Sequence, residues 1–153
     1  MTPALMGDDG VAAGAAGRSL HDTAVLNGDA ACVAQARRRA AGFLDLARAE
    51  HGVPVSRRAC DLLQLVVSEL VTNACKYAGG PIRLDLRIAS GLVEVAVRDG
   101  NPALPVVGTA DASRVGRHGL EIVSAVCRSF EAVAEAAGKR LTARLPLTEG
   151  AAA

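Results

Sequence analysis

Residues 56–80 read SRRACDLLQLVVSELVTNACKYAGG, and this stretch decides the fold. Leu62, Leu63, Val66, Val67, Leu70, Val71 and Ala74 recur at steps of three and four, the repeat of one face of an α-helix. Ser56 suits an N-cap and Gly79-Gly80 suits a C-terminal stop. The apolar stripe is wide, so the helix is expected to be covered on more than one side. Glu69 and Asn73 stand four residues apart on this helix and share a face. A carboxylate and an amide among apolar neighbours must find partners or water. Together they suit a hard cation such as magnesium, and the carboxylate alone suits a general base. On spacing alone, the plainer reading is that both line the wet side of an amphipathic helix.

Upstream, a second helical pattern covers residues 30–50, with Val33, Ala36, Ala40, Phe43, Leu44 and Ala47 as its apolar stripe. Arg37, Arg38, Arg39 and Arg48 are expected to face mostly outward, and Gly52 and Pro54 stop the helix. Asn27-Gly28-Asp29 supplies a turn and an N-cap before it, and residues 23–26 suit an edge strand. Downstream, the period changes to two. Ile82, Leu84, Leu86 and Ile88 alternate with Arg83, Asp85 and Arg87, and Ser90-Gly91 turns the chain into a second strand ending at Asp99. Residues 100–117 carry prolines and glycines without periodicity, and a loop of that length in a compact domain is usually functional or disordered. A short helix follows near His118, holding Leu120, Ile122, Val123 and Val126. A last hairpin, with Phe130, Val133 and residues 141–147, turns at Ala137-Gly138.

This order predicts an α+β fold: a two-layer α/β sandwich whose mixed, mostly antiparallel sheet carries helices on one face. With 153 residues there is room for one core and not two. The expected organisation is a disordered tail over residues 1–22, one domain over 23–148 and a short tail over 149–153. Half the residues are hydrophobic but only Phe43, Tyr77 and Phe130 are aromatic, so the core must be aliphatic and base-stacking platforms are nearly absent. A net charge of +1 gives no general pull on a polyanion, so direct nucleic-acid binding is not expected. No stretch approaches a membrane span, and the start lacks the basic-then-apolar pattern of a signal peptide, which points to a cytoplasmic protein with no membrane partner. Cys32, Cys60, Cys75 and Cys127 show no metal-type pairing and are expected to be reduced, buried thiols.

Two further segments carry chemistry. Asp99-Gly100-Asn101-Pro102 is ordinary turn sequence, and it also places a carboxylate at the sheet's edge, where it could accept from a ligand amine. Gly116-Arg117-His118-Gly119 enters a helix N-terminus, a natural though common setting for phosphate.

In order, Glu69-Leu70-Val71-Thr72-Asn73-Ala74, Val97-Arg98-Asp99-Gly100 and Gly116-Arg117-His118-Gly119-Leu120 resemble successive boxes of the ATPase superfamily shared by histidine kinases, gyrase and heat-shock chaperones. The chain looks most like the small anti-sigma-factor serine/threonine kinases of the actinobacterial type, over about residues 29–147. The resemblance implies the Bergerat ATP-binding fold, with ATP and Mg2+ as cofactors. It implies that Asn73 holds the magnesium ion and Glu69 is the catalytic base toward a serine hydroxyl or water. Asp99 would accept from the adenine amino group. Gly116 and Gly119 would let the lid backbone approach the phosphates, and Arg117 and His118 would contact them, with Gly100 and Leu120 completing the cofactor-binding set. Departures are the missing second glycine after Asp99, Tyr77 where a histidine is frequent, and Thr142 where an aromatic residue is often seen.

By the same resemblance, the partners are a sigma factor and an anti-sigma-factor antagonist protein, and a homodimer is suggested. The other class of reading is a nucleotide-gated protein-binding module without catalysis. A histidine-kinase fragment is not expected, because the residues before Ala30 leave no room for a phosphoacceptor helix pair.

Overall fold

The computed structural model describes residues 19–77, 80–104 and 118–148. The elements run β1 (Leu20–Leu26), α1 (Cys32–His51), α2 (Arg57–Tyr77), β2 (Ile82–Ala89), β3 (Leu92–Asp99), α3 (His118–Val126), β4 (Ser129–Glu135) and β5 (Gly138–Pro146). Among the described residues, five strands form one sheet in the order β1-β2-β3-β5-β4, with each of these pairings antiparallel. The two-layer α+β architecture expected from the sequence is therefore the one observed.

Helix α2 is the centre of the molecule. Ser56 caps it, accepting the Ala59 N–H on Oγ at 3.0 Å. Leu63, Val66, Val67, Leu70, Val71 and Ala74 are all fully buried. The wide stripe is explained by what lies around it: α2 packs on α1, on α3 and on strands β2, β3 and β5. From the sheet, Ile82, Leu84 and Leu86 of β2, Val93, Val95 and Val97 of β3, and Leu141, Ala143 and Leu145 of β5 complete one core. Each fully buried aliphatic side chain of this kind contributes about 1.5–3 kcal/mol, so stability comes mainly from Leu, Val and Ile, with Phe43 a buried aromatic among them.

Helix α1 buries Ala36, Ala40, Phe43, Leu44 and Ala47 as its stripe predicts, with Cys32 fully buried and Val33 only partly so. Asp29 folds the turn ahead of the helix, accepting the Ala31 N–H on its side chain at 3.0 Å. Ala31 itself is the N-cap residue and makes no side-chain bond. Strand β1 begins at Leu20, three residues earlier than expected, because it pairs along its whole length with β2. Between β2 and β3 the chain turns on Ser90 and Gly91, at φ of 54° and 77°. Two successive left-handed residues match the twist of a tight antiparallel hairpin.

The outer sheet face, opposite the helices, carries a lattice of charges. Arg98 reaches Asp85 at 2.7 Å and Glu135 at 3.2 Å, and Arg144 reaches Glu94 at 2.9 Å. Arg39 stands exposed on α1 as expected, and there it grips Asp22 through two nitrogens, at 2.7 and 3.2 Å, and bonds the Thr23 carbonyl at 3.0 Å. That hydrogen bond to Asp22 raises the guanidinium pKa and ties α1 to β1. One expectation needs correction, because the cysteines are not all free. Cys32 and Cys75 form a disulfide, with Cα atoms 7.7 Å apart, leaving Cys60 and Cys127 as thiols. A separation of 43 residues hides the pair in the sequence; the packing of α1 on α2 brings the two sulfurs together. Among the described residues, no helix is long and apolar enough to cross a membrane. The expected tails, apart from residues 19–22 and the strand start, lie outside the described residues, as do Gly116 and Arg117.

Candidate functional site

The C-terminal half of α2 places Glu69 and Asn73 one turn apart, on the flank not occupied by its core stripe. Glu69 is half-buried, and Asn73 is only 8% exposed. Among the described residues, the Asn73 Oδ1 atom is buried without a hydrogen-bond partner. Buried amide oxygens are normally satisfied, because an unmet acceptor costs about 1–3 kcal/mol. The neighbouring Ser68 hydroxyl, by contrast, is used up locally, donating to the Gln64 carbonyl at 2.8 Å. Asn73 Oδ1 is thus a buried acceptor, one helical turn from the Glu69 carboxylate, whose hydrogen-bonding capacity the described residues leave unused.

Helix α3 brings its N-terminus against Glu69. Leu120 and Val123 anchor it in the core, at 2% and 0% exposure, and α3 packs on α2. Residue 119 sits so close to Glu69 that an added Cβ would overlap the Glu69 carboxylate oxygen Oε1. Glycine is thus the residue that lets a helix N-terminus approach the carboxylate. Glu69 and Gly119 are brought together, with Asn73 one helical turn further along α2 and Leu120 buried in the core. His118 opens the helix; its side chain, with Gly116 and Arg117, is outside the described residues.

Asp99 ends β3 in a different setting. Its side chain is 0% exposed, and Lys139 of β5, itself 2% exposed, lies directly across the ladder. The Lys139 ammonium donates to both carboxylate oxygens, at 3.1 Å to Oδ1 and 2.8 Å to Oδ2. The Asn101 backbone N–H adds a bond to Oδ1 at 2.8 Å. Lys139 also points a third bond at the Asn101 carbonyl, at 3.5 Å. Gly138 permits this closeness, since a Cβ there would overlap the Asp99 carbonyl oxygen. At Gly100 the nearest atom to an added Cβ is the Ala137 carbonyl oxygen at 4.0 Å, so its backbone position is not sterically demanding.

Sequence reasoning placed Asp99 correctly at a strand end and missed Lys139. The signal was present: Lys139 is in phase with the core-facing Leu141, Ala143 and Leu145, and Asp99 is in phase with Val93, Val95 and Val97. Two opposite charges continuing two apolar alternations on paired strands must meet inside. Among the described residues, no hydrogen bond or ion pair links Asp99 to Glu69 or Asn73, and no cluster of three or more His, Cys, Asp or Glu could hold a metal. One cavity walled by described residues lies against Leu20, Val53, Ile88 and Leu147.

The sequence model of the histidine kinase-like ATPase domain family matches residues 26–145. That span covers every described element except the first six residues of β1 and the last of β5. The chain belongs to this family, and membership implies that it binds ATP. No curated protein matches the chain.

Proposed function

We propose that this histidine kinase-like ATPase domain binds ATP with magnesium and acts as an anti-sigma factor with serine/threonine kinase activity toward an antagonist protein. The observation that carries the reading is the unpartnered, buried Asn73 Oδ1, one helical turn from Glu69. A neutral amide oxygen fits magnesium, which is usually held by one or two protein oxygens, with phosphate and water oxygens completing its shell. Magnesium, when bound, supplies neutralisation of the charge on the transferring phosphate. Asn73 would hold it through Oδ1.

The remaining work falls to the chain itself. Glu69 takes the proton of the attacking hydroxyl as its oxygen forms a bond to the γ-phosphorus. The bond from that phosphorus to the β–γ bridging oxygen breaks, and ADP leaves with the electron pair. Gly119 leaves the Glu69 carboxylate room at the head of α3, whose N-terminal N–H groups and dipole favour the phosphate charge. Asp99 is the carboxylate toward the base.

The unphosphorylated antagonist would capture the domain and release a sigma factor, and phosphorylation would end the capture. The domain would work as a homodimer.

Glu69→Gln separates a kinase from a nucleotide-gated binding module. ATP turnover at saturating nucleotide is expected to fall by roughly 10²-fold or more, with nucleotide affinity little changed. Equal turnover in the variant, or none in the wild type despite ATP binding, would leave the module reading in place of the kinase.

A further inference from the structure

The bridge between Cys32 and Cys75 ends beside the candidate site. Cys32 opens α1, and Cys75 lies two residues beyond Asn73 on α2. Asn73 stands four residues from the C-terminal end of α2, at the head of its final turn. Final turns fray, because the last four carbonyls of a helix lack intrahelical partners. The fully buried run of α2 stops at Ala74; beyond it Lys76 is exposed and Cys75 is only partly buried. Packing therefore holds this turn weakly, and the bridge ties it covalently to the start of α1. A second contact marks the same joint. Gly28, in the turn before α1, lies so close to Gly80, just beyond α2, that an added Cβ would overlap the Gly80 carbonyl oxygen. The fold itself does not need the bridge, since Ala36, Ala40 and Leu44 of α1 share one buried core with Leu63, Val67 and Leu70 of α2.

We propose that the Cys32–Cys75 pair is a redox switch on magnesium–nucleotide affinity. Bridged, it pins the final turn of α2 and with it Asn73; as two thiols, it lets that turn open and weakens binding. This inference rests on the nucleotide-binding reading above and adds a control to it. The co-reactant is a small-molecule thiol–disulfide couple. The two sulfurs are unequally accessible, Cys32 being fully buried and Cys75 partly exposed, so exchange enters at Cys75. In forming the bridge, the Cys75 thiolate attacks one sulfur of the external disulfide, and the other sulfur leaves as a thiolate. The Cys32 thiolate then attacks Cys75 in this mixed disulfide and expels the second external thiolate. Two protein thiols are oxidised and one external disulfide is reduced, and the two protons given up by the cysteines go to the two departing thiolates. Reduction runs the same exchanges backward. Because linkage is reciprocal, magnesium–ATP favours the bridge by the factor by which the bridge favours magnesium–ATP.

The test compares the full chain bridged in glutathione disulfide with the full chain opened in dithiothreitol, a thiol count confirming two and four thiols. Each form is titrated with a fluorescent ATP analogue in magnesium. The bridged form is expected to bind about fivefold or more tighter. Cys75→Ser should bind as the opened form does under both conditions, and the double variant Cys60→Ser with Cys127→Ser should keep the difference. Without nucleotide, amide exchange over residues 74–77 should be about fivefold or more slower in the bridged form. Equal affinities, tighter binding by the opened form, or equal exchange over residues 74–77 overturns the proposal. A bridge that serves only as a staple raises the thermal midpoint and leaves the affinities equal. The wild-type comparison needs no variant, so it decides the matter even where Cys75→Ser does not fold. Failure of both forms to bind nucleotide removes the nucleotide pocket and the switch with it, whereas equal binding removes the switch alone.

Discussion

The Glu69 carboxylate occupies the space where any side chain on residue 119 would begin. A helix of the core and the head of a second helix are thus in contact through one acid and one missing Cβ. The contact is soft on the acid's side, because the atoms first met are the end of a flexible chain. Gly119→Ala should therefore leave the fold intact. Alanine in a helix even favours it by about 0.8–1 kcal/mol over glycine. What changes is the position of Glu69. ATP turnover is expected to drop by roughly 10²-fold, the cost of about a 1 Å misplacement of a reacting group, while the thermal midpoint stays near that of the wild type. Unchanged turnover in Gly119→Ala would show that this contact does not position the base.

Leu70 lies between Glu69 and Asn73 in sequence, is fully buried, and belongs to the shared core. Leu70→Ala should lower unfolding free energy by about 2–5 kcal/mol, from lost burial and the cavity left behind. Urea unfolding with unchanged slope and a lower midpoint is the expected result. A shift below about 1 kcal/mol would mean that α2 is not packed on both sides.

The pairing of Cys32 with Cys75 is open to a direct count. Thiol titration of the unfolded, unreduced chain should find two reactive groups, Cys60 and Cys127, out of four cysteines. Four would show that α1 and α2 are not bridged.

Burial pushes the Cys127 thiol from an ordinary value of 9.0 up to about 11. The folded chain then holds its proton where the unfolded chain has lost it. The unfolded state binds fewer protons between pH 9 and about 11, so this group's contribution to stability falls as pH rises through that window. Alkylation of Cys127 in the folded protein should be slow near pH 8 and accelerate toward pH 11, with Cys127→Ser removing the slow phase. A rate already at its maximum near pH 8 would contradict the burial.

Much of this architecture is legible in the chain because aliphatic periodicity and packing agree. The stripe from Leu62 to Ala74 is buried throughout apart from the partly buried Leu62, and the alternation from Ile82 to Ile88 fixes both register and face. Glu69 and Asn73 are legible as a pair, but spacing alone cannot tell a solvated face from a ligand-facing one. That distinction needs the burial of Asn73 Oδ1, a tertiary fact. Ile122 reads as part of an apolar helix yet is 41% exposed, because a nine-residue helix offers only one face to the core. The Cys32–Cys75 bridge and the Arg39 grip on Asp22 depend on how elements dock, which no local pattern encodes. Lys139 falls between these cases: its phase is written in β5, but its partner is visible only once β5 is paired with β3.

The proposed role of Asn73 Oδ1 toward a magnesium–nucleotide complex is open to titration of the purified chain with a fluorescent ATP analogue, with and without magnesium, beside Asn73→Ala. Magnesium-dependent binding by the wild type is expected. In a variant shown to be folded by circular dichroism, that dependence should weaken by about 10–100-fold. Binding of equal strength with and without magnesium, or an Asn73→Ala variant that binds as the wild type does, would contradict it.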